Sequence, residues 1–232
     1  MIDLYSAENQ IKIVHDFKEL VNTPFIGKMN AICWTRNLIG DFSEIVNKLA
    51  LTENIATIEE EELCAIQLSE QGQLARQILL NDLKLLEAHG GSPILNIINF
   101  YERDVNYPFF PIDVYSFHVD RSPIPIDTFL CTYDGESSQI LPNSQCDKKI
   151  LIPEIRDELK KQYRGTDAGF ESYLTEHFFD LHYQAKPNAQ PISTGLGHLW
   201  RLAVDHPKSK VLPCIHRAPE EKPGQKRLLL IC

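Results

Sequence analysis

Up to about residue 92 the apolar positions recur mostly at helical spacing. Ile11, Val14, Phe17, Leu20 and Val21 form one stripe, which predicts an N-terminal helix. Asp41, with Glu44 three residues on, has the pattern of a helix N-cap, and Phe42, Ile45, Val46 and Leu49 follow on one face. A longer helix is expected over about 58–88, with Leu63, Ile66, Leu74, Ile78, Leu85 and Leu86 toward a core. Glu59 to Glu62 suit its first turn, where acids complement the helix dipole. Gly90-Gly91-Ser92-Pro93 stops it.

Beyond residue 92 strand patterns dominate. Ile94–Tyr101, Val114–His118, Thr128–Tyr133 (closed by Asp134-Gly135), Leu199–Val204, Val211–His216 and Arg227–Cys232 each read as a strand. A helical insert interrupts them at about 153–183, where Phe170, Tyr173, Leu174, His177, Phe178 and Leu181 keep helical spacing. Helices first and short strands afterwards predict an α+β chain on a sandwich or barrel. The expected organisation is a helical cap, 1–92, packed on a core, 93–232, as one structural unit. No strand–helix alternation at the βαβ interval occurs, and neither G-x-G-x-x-G nor G-x-x-x-x-G-K-[ST] is present, which argues against a Rossmann or P-loop fold.

The 232 residues suffice for a sizeable core, and 43% hydrophobic with 24% charged residues is ordinary for a globule. A formal net charge of −9 and the lack of a basic run argue against nucleic acid as a partner. The N-terminus, MIDLYSAENQ, has neither a basic nor an apolar leader region, and no apolar run approaches membrane-spanning length, so no membrane partner and a cytoplasmic location are expected. None of the six cysteines forms a C-x-x-C pair; Cys33, Cys131 and Cys214 sit in apolar runs and read as buried thiols.

Candidate chemistry gathers late in the chain. His118-Val119-Asp120 is a His-x-Asp step, His216 follows 96 positions after Asp120, and Arg227 follows 11 after that. Two imidazoles and one carboxylate on one face of a metal leave the other positions open, as in non-haem Fe(II) oxygenases. With eight histidines, about one His-x-[Asp/Glu] arises by chance, so context carries the weight. On a strand His118 and Asp120 share a face. His216 ends an apolar run, and Arg227 opens another, where burial is expensive unless it meets an anion.

This order resembles the Fe(II)/2-oxoglutarate-dependent dioxygenases of the double-stranded β-helix (jelly-roll, cupin-like) fold. More closely, Phe117-His118-Val119-Asp120, Thr132-Tyr133-Asp134-Gly135, His216-Arg217-Ala218-Pro219 and Ala31-Ile32-Cys33-Trp34-Thr35-Arg36 look like a bacterial family of unknown function. The resemblance implies a double-stranded β-helix core with N-terminal helices and a helical insert. It implies that His118, Asp120 and His216 hold Fe(II), with Zn or Ni as alternatives, and that Arg227 pairs the distal carboxylate of 2-oxoglutarate. The substrate would be a small molecule or a peptide. Many members carry Ser or Thr two residues after the Arg; here Leu229 stands there, and Tyr115, Thr132 or Tyr133 would have to supply that hydroxyl.

Other histidines compete. His206 precedes Arg217 by 11 residues but lies in a polar turn, Asp205-His206-Pro207-Lys208. His177 and His182 fall in the insert, where packing is the expected role. His198 lies beside Gly195 and Gly197, from which a loop can reach a site. Cys214, two before His216, lacks the partners a nucleophile needs. Trp34 and Trp200 are expected in the core or at its rim.

Overall fold

The computed structural model describes residues 9–49, 53–107, 109–220, 222 and 224–232. The leader expectation at the N-terminus falls largely outside them. Twelve strands and six α-helices are described. A seven-stranded sheet has the order β1 (Ile11–Val14), β2 (Ala31–Trp34), β10 (Leu199–Ala203), β5 (Asp127–Asp134), β12 (Arg227–Ile231), β4 (Ile94–Ile98), β3 (Ile55–Thr57). Only β1 and β2 run parallel; the other neighbours are antiparallel. A small antiparallel sheet has the order β11 (Ile215–Arg217), β6 (Gln139–Leu141), β9 (Ile192–Ser193), and β7 (Cys146–Lys148) pairs with β8 (Tyr183–Ala185). The helices are α1 (Phe17–Asn22), α2 (Phe42–Lys48), α3 (Glu60–Ala65), α4 (Glu70–Ala88), α5 (Pro153–Gln162) and α6 (Phe170–Glu176).

Alternation divides the large sheet into two buried faces. Ile32, Phe129, Cys131, Tyr133, Leu199, Leu228 and Leu230 pack with Leu20, Phe42, Ile45, Leu79 and Leu86 of the helices. Ala31, Cys33, Leu130, Trp200 and Leu202 pack with Ile140 and Cys214 from the small-sheet side. The result is a mixed α+β architecture with helices on one face of a large sheet.

Several elements follow local signals. Asp41 caps α2 by accepting from the Glu44 N–H at 3.1 Å. Gly90 stops α4 with φ 92°, a backbone region glycine adopts without a Cβ clash. The insert forms α5 and α6 around Phe110, Leu159, Phe170, Leu174 and Phe179.

Four expectations are corrected. The stripe from Ile11 to Val21 is a strand followed by a helix. Asp16 caps α1 at its Glu19 N–H, and Ile11 and Ile13 face the side opposite Val14, so four residues of period-2 pattern also satisfy half of a helical stripe. The helix over 58–88 is two helices, because the Ser69 hydroxyl accepts from the Gly72 N–H and starts α4 afresh. Val114–His118 is no strand: Asp113 accepts from the Tyr115 and Ser116 N–H groups and folds it into a turn. The strand at Val211–His216 starts only at Ile215. Pro213 has no N–H to give, and the Leu212 and Pro213 carbonyls are taken by the Asn30 amide. Strands β1, β2 and β3, all within the first 92 residues, lie in the same sheet as β4, β5, β10 and β12.

Candidate metal centre

Residues 117–119 run extended between two other segments. His118 exchanges backbone hydrogen bonds with His216, both at 2.9 Å, while Phe117 and Val119 bond to Tyr183 and Leu181. His182, His118 and His216 therefore lie in a row of bridge partners, whose side chains project from one side. Ring centroids are 5.8 Å apart for His118–His182 and 4.7 Å for His118–His216. Asp120, two residues after His118, comes to the same place.

One donor atom each of His118, Asp120 and His216 falls within 4.8 Å of the other two, so this group can hold a metal ion. Each imidazole is oriented by its Nδ1. That atom of His118 lies 2.7 Å from the Ser116 carbonyl, and that of His216 lies 3.2 Å from the Cys214 carbonyl. A carbonyl only accepts, so Nδ1 holds the proton and the Nε2 lone pair remains for a metal. His216 Nε2 is 3.7 Å from Asp120 Oδ2, and the same oxygen accepts from the Thr128 hydroxyl at 2.5 Å. Thr128, from β5, thus fixes the carboxylate as the carbonyls fix the rings.

A cavity of about 310 Å³ opens beside the group, lined by His118 and Asp120, by Asp113 and Arg121, and by Phe178, Leu181 and His182 of the insert. Phe178 holds a left-handed φ of 59° and is 57% exposed at this rim. Arg121 is committed to Asp205 at 2.9 Å and to Asp180.

Burial, reinforced by His216, pushes the His118 pKa down to about 4. Burial, then His118 and Lys149, push His182 down to about 3. Burial raises Asp120, but His216, the Thr128 hydroxyl and His118 outweigh it and leave its pKa lowered. A neutral His118 ring beside an ionised Asp120 is the protonation state a divalent ion needs.

The two lowered histidines make metal-free stability depend on pH. Both rings fall from 6.5, to about 4 and about 3, so between pH 6.5 and 4 the unfolded chain binds protons that the folded chain refuses. Stability rises with pH across this window and is lost on acidification through it. Both rings act in the same direction, so their contributions to this loss add. Asp120 adds its loss only as pH falls below the ordinary carboxylate value of 3.8. The urea midpoint of metal-free protein is expected to be clearly lower at pH 4.5 than at pH 7; equal midpoints would contradict the burial of these rings.

The other predicted residues are dispersed. Arg227 is 1% exposed, with Nε donating to the Glu136 carbonyl at 2.8 Å and Nη2 to the Ser138 hydroxyl at 3.2 Å, and it does not line the cavity. Ser138 directly precedes β6, whose Ile140 is the register partner of His216, so the guanidinium lies against the small sheet. Thr132 is fully buried, pairs with Leu229, and its hydroxyl has no hydrogen-bond partner among the described residues. Tyr115 donates to the Tyr101 carbonyl at 3.2 Å and packs under Arg103. Tyr133 is turned to the helical side, where its hydroxyl donates to Asp82 at 2.6 Å, because odd positions of β5 face the helices.

Of the competing histidines, His206 Nδ1 accepts from the Lys208 N–H, His198 Nδ1 accepts from the Arg36 N–H, and His177 stacks on Phe179. Arg217 is held by Gln139 and lies over Phe117. Cys214 is buried with its thiol pushed well up, which leaves it unreactive. Trp200 is wholly buried, with its indole N–H on the Thr194 carbonyl. Sequence reasoning missed Thr128 and Ser116, which act on the site, and favoured packing over a metal role for His182; none has a motif. Among the described residues no helix is long and apolar enough to cross a membrane.

No protein-family model matches the chain, nor does a curated protein or a solved structure. The fold and the site define its class: an α+β protein with a His-x-Asp…His group able to hold a metal.

Proposed function

We propose that this chain is a mononuclear non-haem Fe(II) oxygenase of hydroxylase type that uses 2-oxoglutarate, built on a double-stranded β-helix core, and acting on a small molecule or peptide. The observation that carries the reading is the convergence of two pre-oriented imidazoles and one anchored carboxylate within 4.8 Å beside a cavity. This mixed nitrogen and oxygen set suits Fe(II), and three ligands leave coordination positions open. The sheets that flank Trp200 and Ile140 support the β-helix reading.

For the co-substrate, the buried Arg227 guanidinium with its Ser138 hydroxyl and the orphaned Thr132 hydroxyl supply carboxylate-binding chemistry. Ser138 thus stands in for the hydroxyl absent at Leu229. Bound Fe(II) with 2-oxoglutarate supplies dioxygen-driven oxidation. The protein's own residues do the rest: His118, Asp120 and His216 hold the ion, Thr128 and the two carbonyls fix their aim, and Phe178, Leu181 and His182 of the insert line the cavity beside them.

Anaerobic addition of Fe(II) and then 2-oxoglutarate is expected to produce a visible charge-transfer band. The band should vanish in His216→Ala and weaken in Arg227→Gln. Iron binding without a band would leave a second reading, a divalent-metal protein without oxygenase activity, for which the same donors bind Zn(II) or Ni(II) well. That reading is favoured by the absence of Arg227 from the cavity lining.

A further inference from the structure

Ser116 touches two of the three histidines in the row, and it treats them oppositely. Its carbonyl oxygen faces His118 Nδ1 at 2.7 Å and must accept the ring proton. Its hydroxyl oxygen lies 2.8 Å from Lys149 Nζ and 3.1 Å from His182 Nδ1. An ammonium only donates, so the Ser116 oxygen accepts from Lys149 and its own proton is left for His182 Nδ1. All three groups are buried, Lys149 at 8%, Ser116 at 9% and His182 at 5% exposure, so an idle hydroxyl proton would be costly. His182 Nδ1 is thus an acceptor, and its proton sits on Nε2. Lys149 is locked in this role from behind: its backbone N–H bonds the His182 carbonyl at 3.0 Å, and its ammonium packs against Phe110.

The neighbouring rings therefore carry opposite tautomers. His118 shows a bare Nε2, fit for a metal. His182 shows Nε2–H, which cannot ligate. No other hydrogen bond of the His182 ring occurs among the described residues, and the residue lines the cavity together with His118 and Asp120. Of the other N–H donor side chains on that lining, Arg121 is spent on Asp180 and Asp205.

We propose that His182 is the hydrogen-bond donor of this cavity, placing its Nε2–H on an oxygen of the carboxylate ligand seated at the open side of the metal, with Lys149 and Ser116 as positioning residues that set its tautomer. This rests on the metal centre proposed above but not on the identity of the co-substrate.

The test uses the full chain loaded with Zn(II). Long-range proton–nitrogen NMR on ¹⁵N-histidine protein is expected to show His182 protonated at Nε2 and bare at Nδ1, with the opposite pattern at His118. Lys149→Met should erode the His182 preference. Titration with oxalate, a compact carboxylate chelator, and separately with 2-oxoglutarate, follows in wild type, His182→Phe and His182→Gln. Zinc occupancy should hold in all three. The Phe variant should bind oxalate at least about tenfold more weakly, the loss of one charge-assisted hydrogen bond, and Gln should recover most of it. A His182 protonated at Nδ1, or oxalate bound equally well by the Phe variant, overturns the proposal. Loss of zinc in His182→Phe also overturns it by making His182 a ligand. Wild type that takes oxalate but refuses 2-oxoglutarate sinks the co-substrate reading and leaves His182 in place. Failure of wild type to take zinc sinks the centre and this proposal together.

Discussion

His118→Ala is expected to lower divalent-metal affinity by more than about 100-fold, beyond the loss typical of an outer-shell partner. His118 is the middle ring of the row, the one whose removal separates Asp120 from its nearest sequence neighbour in the site. Its backbone bonds to His216 do not involve the side chain, so the strand-like segment should persist and the loss should be specific. Zinc or cobalt titration with a competing chelator measures it, and circular dichroism confirms that the variant is folded. His177→Ala, an exposed ring on the insert, should bind metal like wild type. Full metal occupancy in His118→Ala would remove the proposed centre altogether.

Asp82→Ala is expected to destabilise the fold by about 3–5 kcal/mol, the cost of leaving a buried charge without its partner. Asp82 lies on the sheet-facing side of α4 at 1% exposure. Arg36, 7% exposed in its side chain, donates to both Asp82 oxygens at 2.7 Å and to the Gly197 carbonyl at 2.8 Å. The Tyr133 hydroxyl completes the cluster at 2.6 Å. Without Asp82 the guanidinium keeps only part of its bonding in a place water cannot enter. Replacing both ions, Arg36→Met with Asp82→Leu, should cost far less than Asp82→Ala alone, because no charge is then stranded. Urea unfolding of wild type and these variants decides this. A double variant as weak as Asp82→Ala would mean that the cluster acts through packing instead.

This cluster shows how a residue can be legible in kind but not in place. Tyr133 attracts a co-substrate role on sequence because it sits in the strand after the His-x-Asp step. Its neighbour Thr132 points to the opposite side of the sheet, and only the strand's phase tells which of the two faces the small sheet. Similarly, Ile11–Val14 carries apolar residues that satisfy a helical stripe as well as a parallel strand. Four residues hold too little pattern to separate periods of 2 and 3.6, and pairing with β2 decides.

By itself the sequence determined the Asp41 cap, the Gly90 breaker and which residues could form the metal-holding group. Asp41, Gly90 and the β-rich run Thr128–Tyr133 act through near neighbours, so their signals are local, and His118-x-Asp120 needs only an extended backbone to bring its two donors together. The tertiary structure decided everything that spans the chain. It set His216 against His118, brought Thr128 to Asp120, took Arg227 to Ser138 rather than to the cavity lining, and placed His182 of the insert third in the row. The physical reason is that these contacts depend on strand pairing between distant segments. A shift of one residue in such pairing turns a side chain to the other face, and no local pattern records that choice.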